Sequence, residues 1–291
     1  MSNISYDLSG KIDRAHIEAL YSIKTIADSL NISFFIIGAS ARDYLFEHCH
    51  RMTTLRKTQD IDLGVEVADW ERFDKLTNSL IATGGFKASS TKHRVLFEDL
   101  IIDIVPFGAI ADEHKKISWP PEHEVMMSLL GFQEAYECSI TIRLSSDPQL
   151  DVKVATLPGL ALMKLISWKE QYPNRPKDAE DLLFLMKKYG DAGNADRLYG
   201  EKQTLMEEEG FDIELAGTRL LGQDMATIAD PDTLKQITAI LEEETQEQSR
   251  YHLVTDMLRG TLTPEDKFDK VLLAVEKLKQ GTIELKNQRK E

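Results

Sequence analysis

Apolar and polar positions change their spacing several times along the chain, and each change marks an element. Between residues 11 and 30, Ile12, Ile17, Leu20, Ile23, Ile26 and Leu30 recur at helical spacing and predict a first helix. Phe34–Ile37 is a short apolar run closed by Gly38, the pattern of a buried strand, and Ala41 to about His50 reads as a short helix. Ile61–Val67 reads as a second strand. Asp69–Ala82 reads as a helix capped by Asp69 and stopped at Gly84-Gly85. The stretch "HRVLFEDLIIDIVPFG" predicts two strands around a tight turn at Glu98-Asp99, ended by Pro106 and Gly108. After "WPPEHEV", two further strands are expected at about 135–144 and 150–155.

From Thr156 the pattern becomes helical. "TLPGLALMKLISWKEQ" places Thr at a cap with Pro just inside, and "RPKDAEDLLFLMKKYG" ends in a normal helix stop. Everything after about residue 194 reads as helices with polar turns, and there is no internal repeat. The expected architecture is a mixed α/β (α+β) domain over residues 1–155 and a helical portion over residues 156–291.

A hydrophobic content of 42% supports a sizeable core and excludes global disorder. No apolar run approaches the roughly eighteen residues of a membrane span. The start "MSNISYDLSG" lacks a signal-peptide pattern. Two cysteines, Cys49 and Cys138, set up no disulfide framework, so a reducing, cytoplasmic setting is expected. The net charge of −14, of which about −9 falls on residues 191–291, argues against sequence-blind nucleic-acid binding through a broad basic surface. Arg42, Arg51, Arg56, Lys57, Lys87, Lys92 and Arg94 are scattered over the first part, which a solvated surface or a local basic groove would explain.

Asp60 and Asp62 interrupt the second strand. Two apart, they project from one face of a strand. Asp103 sits in the otherwise apolar "LIIDIVPF". If the two strands are neighbours, three carboxylates converge, and an oxygen-only set of this kind suits Mg²⁺ or Mn²⁺. Without such an ion they would be strand-end residues facing water. Gly38-Ala39-Ser40, about twenty residues earlier, makes a strand-to-helix turn at which backbone N–H groups and the Ser40 hydroxyl can meet a phosphate. Phosphate anchor, paired carboxylates and a third carboxylate on a later strand form the layout of two-metal nucleotidyl transfer.

"GAS" followed by "TQDIDLGV" resembles the DNA polymerase β-type nucleotidyltransferase superfamily, and "LMKLISWKEQYPNRPKDAEDLLFL" resembles the Lys…Arg-x-Lys-Asp-x-x-Asp-Leu segment of its AbiEii/AbiGii toxin group. The likeness covers roughly residues 34–190. It implies a nucleotidyltransferase-like mixed sheet with flanking helices. It also implies that Gly38, Ser40 and Arg42 bind the nucleoside triphosphate, while Asp60, Asp62 and Asp103 hold the metal and Asp103 helps deprotonate the acceptor. Lys164 would contact the phosphates, and Asp178 would sit near the metal or position Lys164, so that the helical portion contributes to the site. The implied acceptor is a tRNA 3′ end or a protein hydroxyl, with a cognate antitoxin as a further partner. An aminoglycoside-type small-molecule transferase and a non-catalytic nucleotide-binding module are the rival readings. Ala39 intervenes before Ser40, and the spacer to Asp60 is long and basic, which departs from the usual pattern.

Residue chemistry alone offers plainer readings for several of these positions. A lysine on a helix is usually a solvated stem, and Asp178 and Asp181 near a helix start are favoured by the dipole. The "HCH" triplet His48–His50 has no second half for a zinc site, and Cys138 reads as a core residue.

Overall fold

Eight strands of the first 156 residues pair into one mixed sheet. A computed structural model describes residues 4–54, 58–259 and 267–288 of the chain; Arg56 and Lys57 of the basic scatter lie outside the described residues. The chain divides into two compact units, Met1–Thr156 and Leu157–Glu291.

The first unit runs β1 (Ile4–Asp7), α1 (Arg14–Ser29), β2 (Ser33–Ile37) and α2 (Gly38–Asp43), which passes into a π-helical turn, Tyr44–Cys49. Then come β3 (Ile61–Glu66), α3 (Trp70–Ala82), β4 (Phe86–Ala88), β5 (Arg94–Phe97) and β6 (Leu100–Phe107). A small hairpin, β7 (Lys116–Ser118) and β8 (Met126–Ser128), precedes α4 (Phe132–Glu137), β9 (Ile140–Ser146) and β10 (Gln149–Val154). The sheet order is β1-β9-β10-β2-β3-β6-β5-β4. The β3–β6 pair is parallel, whereas β2–β3 and β5–β6 are antiparallel.

The helices form where periodicity and caps agree. Asp69 accepts a hydrogen bond from the Arg72 N–H at 2.8 Å and starts α3, which buries Phe73, Leu76 and Leu80. Helix α1 turns Leu20, Ile23 and Ala27 inward. Ile61, Leu63 and Val65 of β3 and Ile102 and Ile104 of β6 are fully buried, each worth about 1.5–3 kcal/mol over exposure.

Two expectations need correction. Residues 132–137 are helix α4, so the strand expected at 135–144 starts only at Ile140. "FQEAYE" is rich in helix formers and follows Gly131, whose φ of +86° sets the turn into it. Strand β3 begins at Ile61, as its apolar run predicts, so Asp60 stands at its mouth and does not share the strand with Asp62. Strands β1, β4, β7 and β8 span three or four residues, too few to show a period.

The second unit consists of helices α5 (Leu157–Gln171), α6 (Pro176–Lys188), α7 (Ala195–Tyr199), α8 (Gln203–Glu208), α9 (Ile213–Ile228), α10 (Pro231–Thr245), α11 (His252–Arg259) and α12 (Phe268–Gln288). Asp212 and Asp230 cap α9 and α10 through their side chains. Among the described residues no helix is long and apolar enough to cross a membrane.

Candidate active site

One row of residues crosses four strands of the first unit. Ile37 of β2 is in register with Asp62 of β3, Asp62 with Asp103 of β6, and Asp103 with Arg94 of β5. Neighbouring strands lie about 4.8 Å apart and register partners share a face, so the two aspartates stand side by side. The sheet thus joins carboxylates that are far apart in the chain. Asp60, exposed at the mouth of β3, lies two residues from this row, and its N–H donates to Thr58 Oγ1 at 3.2 Å.

The Gly38 turn closes the row on the β2 side. Gly38 has φ +63°, and a Cβ there would fall 2.1 Å from Asp62 Oδ2. Both the backbone angle and the space therefore require glycine. The Ala39 N–H donates to the same oxygen at 3.3 Å. Ser40 is only 1% exposed; its hydroxyl donates to Ile37 O at 3.2 Å and accepts from the Asp62 N–H at 3.4 Å. The Gly-Ala-Ser turn is thus built around Asp62, with the Ser40 hydroxyl facing inward to brace it.

Arg42 is likewise inside. At 2% exposure it donates from Nε and Nη2 to Asp43 Oδ1 at 2.9 and 2.7 Å. Burial raises the Asp43 pKa above the ordinary carboxylate range, more than the Arg42 charge lowers it. Asp43 Oδ2 in turn accepts from the Thr58 N–H at 3.1 Å. Arg42 therefore acts through Asp43 and Thr58 on the segment that delivers Asp60.

Arg94 is the residue that sequence reasoning left among the surface charges. Its Nε and Nη2 donate to Asp103 Oδ1 and Oδ2 at 2.7 and 2.8 Å, a bidentate pair. The Asp103 hydrogen bonds, and with them the charges of Asp103, Asp60 and Asp62, hold the guanidinium above its ordinary pKa although burial opposes this. Both Asp103 oxygens accept from this one guanidinium, which fixes the plane of the carboxylate. A signal for this pair was present in the sequence. A two-residue turn at Glu98-Asp99 fixes the hairpin register and sets Arg94 opposite Asp103.

Asp60, Asp62 and Asp103 supply hard oxygen donors, the chemistry that suits a divalent cation such as Mg²⁺ or Mn²⁺, and the Asp62 carboxylate occupies the space that the missing Gly38 side chain leaves. Among the described residues no three acidic, His or Cys side chains are already gathered as a cation cage. Asp62 is drawn to the Gly38 turn and Asp103 to Arg94.

The second unit has its own buried ion cluster. Lys164 on α5 meets Asp178 Oδ1 at 2.7 Å and Asp181 Oδ2 at 2.9 Å, both on α6. Ser167 Oγ donates to Asp178 Oδ2 at 2.8 Å, and Arg175 Nε approaches the same oxygen at 3.2 Å. Both aspartate side chains are 2% exposed and Lys164 is 16% exposed, so neither the solvated stem nor a purely dipolar role describes them. Burial alone would depress the Lys164 pKa, but the two carboxylates outweigh it and raise it, keeping the ammonium charged. Asp181 completes this cluster as fully as Asp178 does; its place three residues on, one face of the same helix, was the signal.

Burial pushes the Cys49 thiol up to about 12, which keeps it protonated and inert. Cys138, expected in the core, is exposed.

No curated protein matches the chain. Among solved structures, that of the antibiotic-resistance factor ANT(2'')-Ia in solution is 15% identical, with a TM-score of 0.36, over 68% of this chain and 98% of that one. The CCA-adding enzyme in apo form I is 16% identical, with a TM-score of 0.33, over 88% and 65%. Its complex with ATP is 16% identical, with a TM-score of 0.31, over 89% and 66%. The family model described as nucleotidyl transferase AbiEii toxin, type IV toxin–antitoxin system, matches residues 48–273, a span that holds Asp60, Asp62, Asp103, Lys164 and Asp178. With a match over most of its length, the chain belongs to the AbiEii family of nucleotidyltransferases.

Proposed function

We propose that the enzyme moves a nucleoside monophosphate from an NTP to a hydroxyl of RNA or protein, in a reaction that depends on Mg²⁺ or Mn²⁺. The observation that carries this reading is the row in which Asp62 and Asp103 stand in register beside the Gly38 turn, with Asp60 at its mouth. The acceptor oxygen bonds to the α-phosphorus, the bond to the leaving pyrophosphate breaks, and the hydroxyl proton is released to solvent. A cation bound by Asp60, Asp62 and Asp103 would neutralise charge on the entering and leaving oxygens. Gly38 lets the chain turn tightly enough for the Ala39 N–H to hold Asp62 in place. For the second unit the reading assigns Lys164, held by Asp178 and Asp181, to the phosphates.

A cytoplasmic setting and a cognate antitoxin belong to the same reading. The family description names a toxin–antitoxin system, and the acidic balance of −14 favours a partner that supplies basic surface.

The test is incubation with each of the four α-³²P-NTPs, Mg²⁺, total tRNA and cell protein, beside an Asp60→Ala/Asp62→Ala variant and an EDTA control. Label on RNA or protein that needs both the carboxylates and the cation is the expected result. Label on a small molecule alone reassigns the acceptor. No label, together with no NTP-induced thermal stabilisation, rejects the reading in favour of a binding module.

A further inference from the structure

We propose that Arg94 is a positioning residue of the carboxylate site: it holds Asp103 opposite Asp62, and its charge sets how tightly the site takes a divalent cation. The inference rests on the reading that Asp60, Asp62 and Asp103 bind that cation. Three carboxylates around one row repel one another, and the guanidinium fork on Asp103 offsets one of the three charges. The pair is open to water, with side-chain exposures of 34% for Arg94 and 22% for Asp103, so an ion in solution reaches it.

The same sheet contains an internal comparison. Arg143 of β9 and Asp151 of β10 form a matching cross-strand fork, with Nε–Oδ1 at 2.8 Å and Nη2–Oδ2 at 3.0 Å, in register on antiparallel strands. This second pair ties two strands together and has no part in the proposed cation site. Whatever Arg94 does only as a strand tie, Arg143 does too. Any effect of Arg94 on cation affinity separates the two.

The experiment is Mn²⁺ binding to the full chain without nucleotide, followed by electron paramagnetic resonance of the free ion. The variants are Arg94→Gln, Arg94→Met, Arg94→Lys, Arg143→Gln and Asp62→Asn, each checked for folding by circular dichroism. A unit charge about 6 Å from a dication in a water-like dielectric changes affinity roughly tenfold. R94Q and R94M are therefore expected to bind Mn²⁺ about tenfold more tightly than the wild type. R94K, which keeps the charge with a single-point hold, is expected to stay within about twofold of the wild type in affinity but to turn over more slowly. R143Q should leave Mn²⁺ affinity unchanged while lowering Tm. Unchanged or weaker Mn²⁺ binding in both charge-removing variants overturns the proposal and leaves Arg94 a strand tie. If the wild type itself binds no Mn²⁺, or D62N makes no difference, the underlying cation reading fails instead. Two charge-removing side chains keep the test decisive if one of them does not fold.

Discussion

Lys164→Met removes one positive charge from a place where two carboxylates depend on it, with little change in side-chain volume. Asp178 and Asp181 each have only 2% of their side chain exposed, so neither can turn to bulk water for compensation. Removing one partner of a buried ion pair costs about 3–5 kcal/mol. Ser167 and Arg175 still bond Asp178 in the variant, which places the expected loss near the lower figure, about 3 kcal/mol. The sign of the pH dependence is specific. In the wild type the raised Lys164 pKa makes the pairing fully present below the ordinary lysine value, about 10.4, and lost only as pH rises through the raised one, so this cluster adds no slope near neutrality. In K164M the two carboxylates face each other with no ammonium between them, so protonating one relieves their repulsion and the deficit is expected to narrow as pH falls. Trp168 is the sole tryptophan after residue 156 and is buried, so in a W70F/W119F background its fluorescence in urea reports the second unit alone. Unfolding free energies at pH 7.5 and 5.5, with m-values checked for constancy, complete the assay. A K164M deficit under about 1 kcal/mol that does not narrow at pH 5.5 would refute the view that Lys164 balances two buried charges.

Gly38→Ala is expected to cost about 1–2 kcal/mol through its left-handed backbone alone, and its Cβ displaces the Asp62 carboxylate as well. NTP-dependent thermal stabilisation should therefore fall by more than urea stability does; equal losses would mean that the turn matters only for folding. A second expectation concerns pH and the first unit. Burial lowers the pKa of His16, His50 and His93, so the unfolded chain takes up these protons first. Stability should decline as pH falls below about 6.5 toward the lowered native values, with a slope of at most about 1.4 kcal/mol per pH unit for each histidine. His16→Gln should flatten that slope in urea titrations between pH 7 and 5, and an unaltered slope would exclude His16 as a contributor.

What the sequence disclosed depended on how local each signal was. The β5–β6 hairpin was legible because two apolar runs flank a tight turn, and the same turn already encoded the Arg94–Asp103 pair. The neighbouring of β3 and β6 was not legible, since a parallel pair joined through α3, β4 and β5 leaves no local trace, yet it is what brings Asp62 beside Asp103. The inward aim of Ser40 and Arg42 depends on their bonds to Ile37 O and Asp43, and spacing alone says nothing of that. Residues 135–139 were misread because the alternation of β9 was extended back into the end of a stretch of good helix formers. Two positions point to a more general rule. Asp103 interrupts an apolar strand, and Lys164 interrupts an apolar run on α5; each lies in a bonded ion pair. A charge set in an apolar run draws a partner of opposite sign: around Lys164, whose two carboxylates are buried, leaving them unpaired would be costly, and at the partly exposed Asp103 the fork offsets repulsion from its neighbours. The partner lies where register or helix pitch puts a side chain of opposite sign. For Asp103 the hairpin turn gives that position directly. For Lys164 it takes a second helix with acids three apart, which "KDAED" supplies.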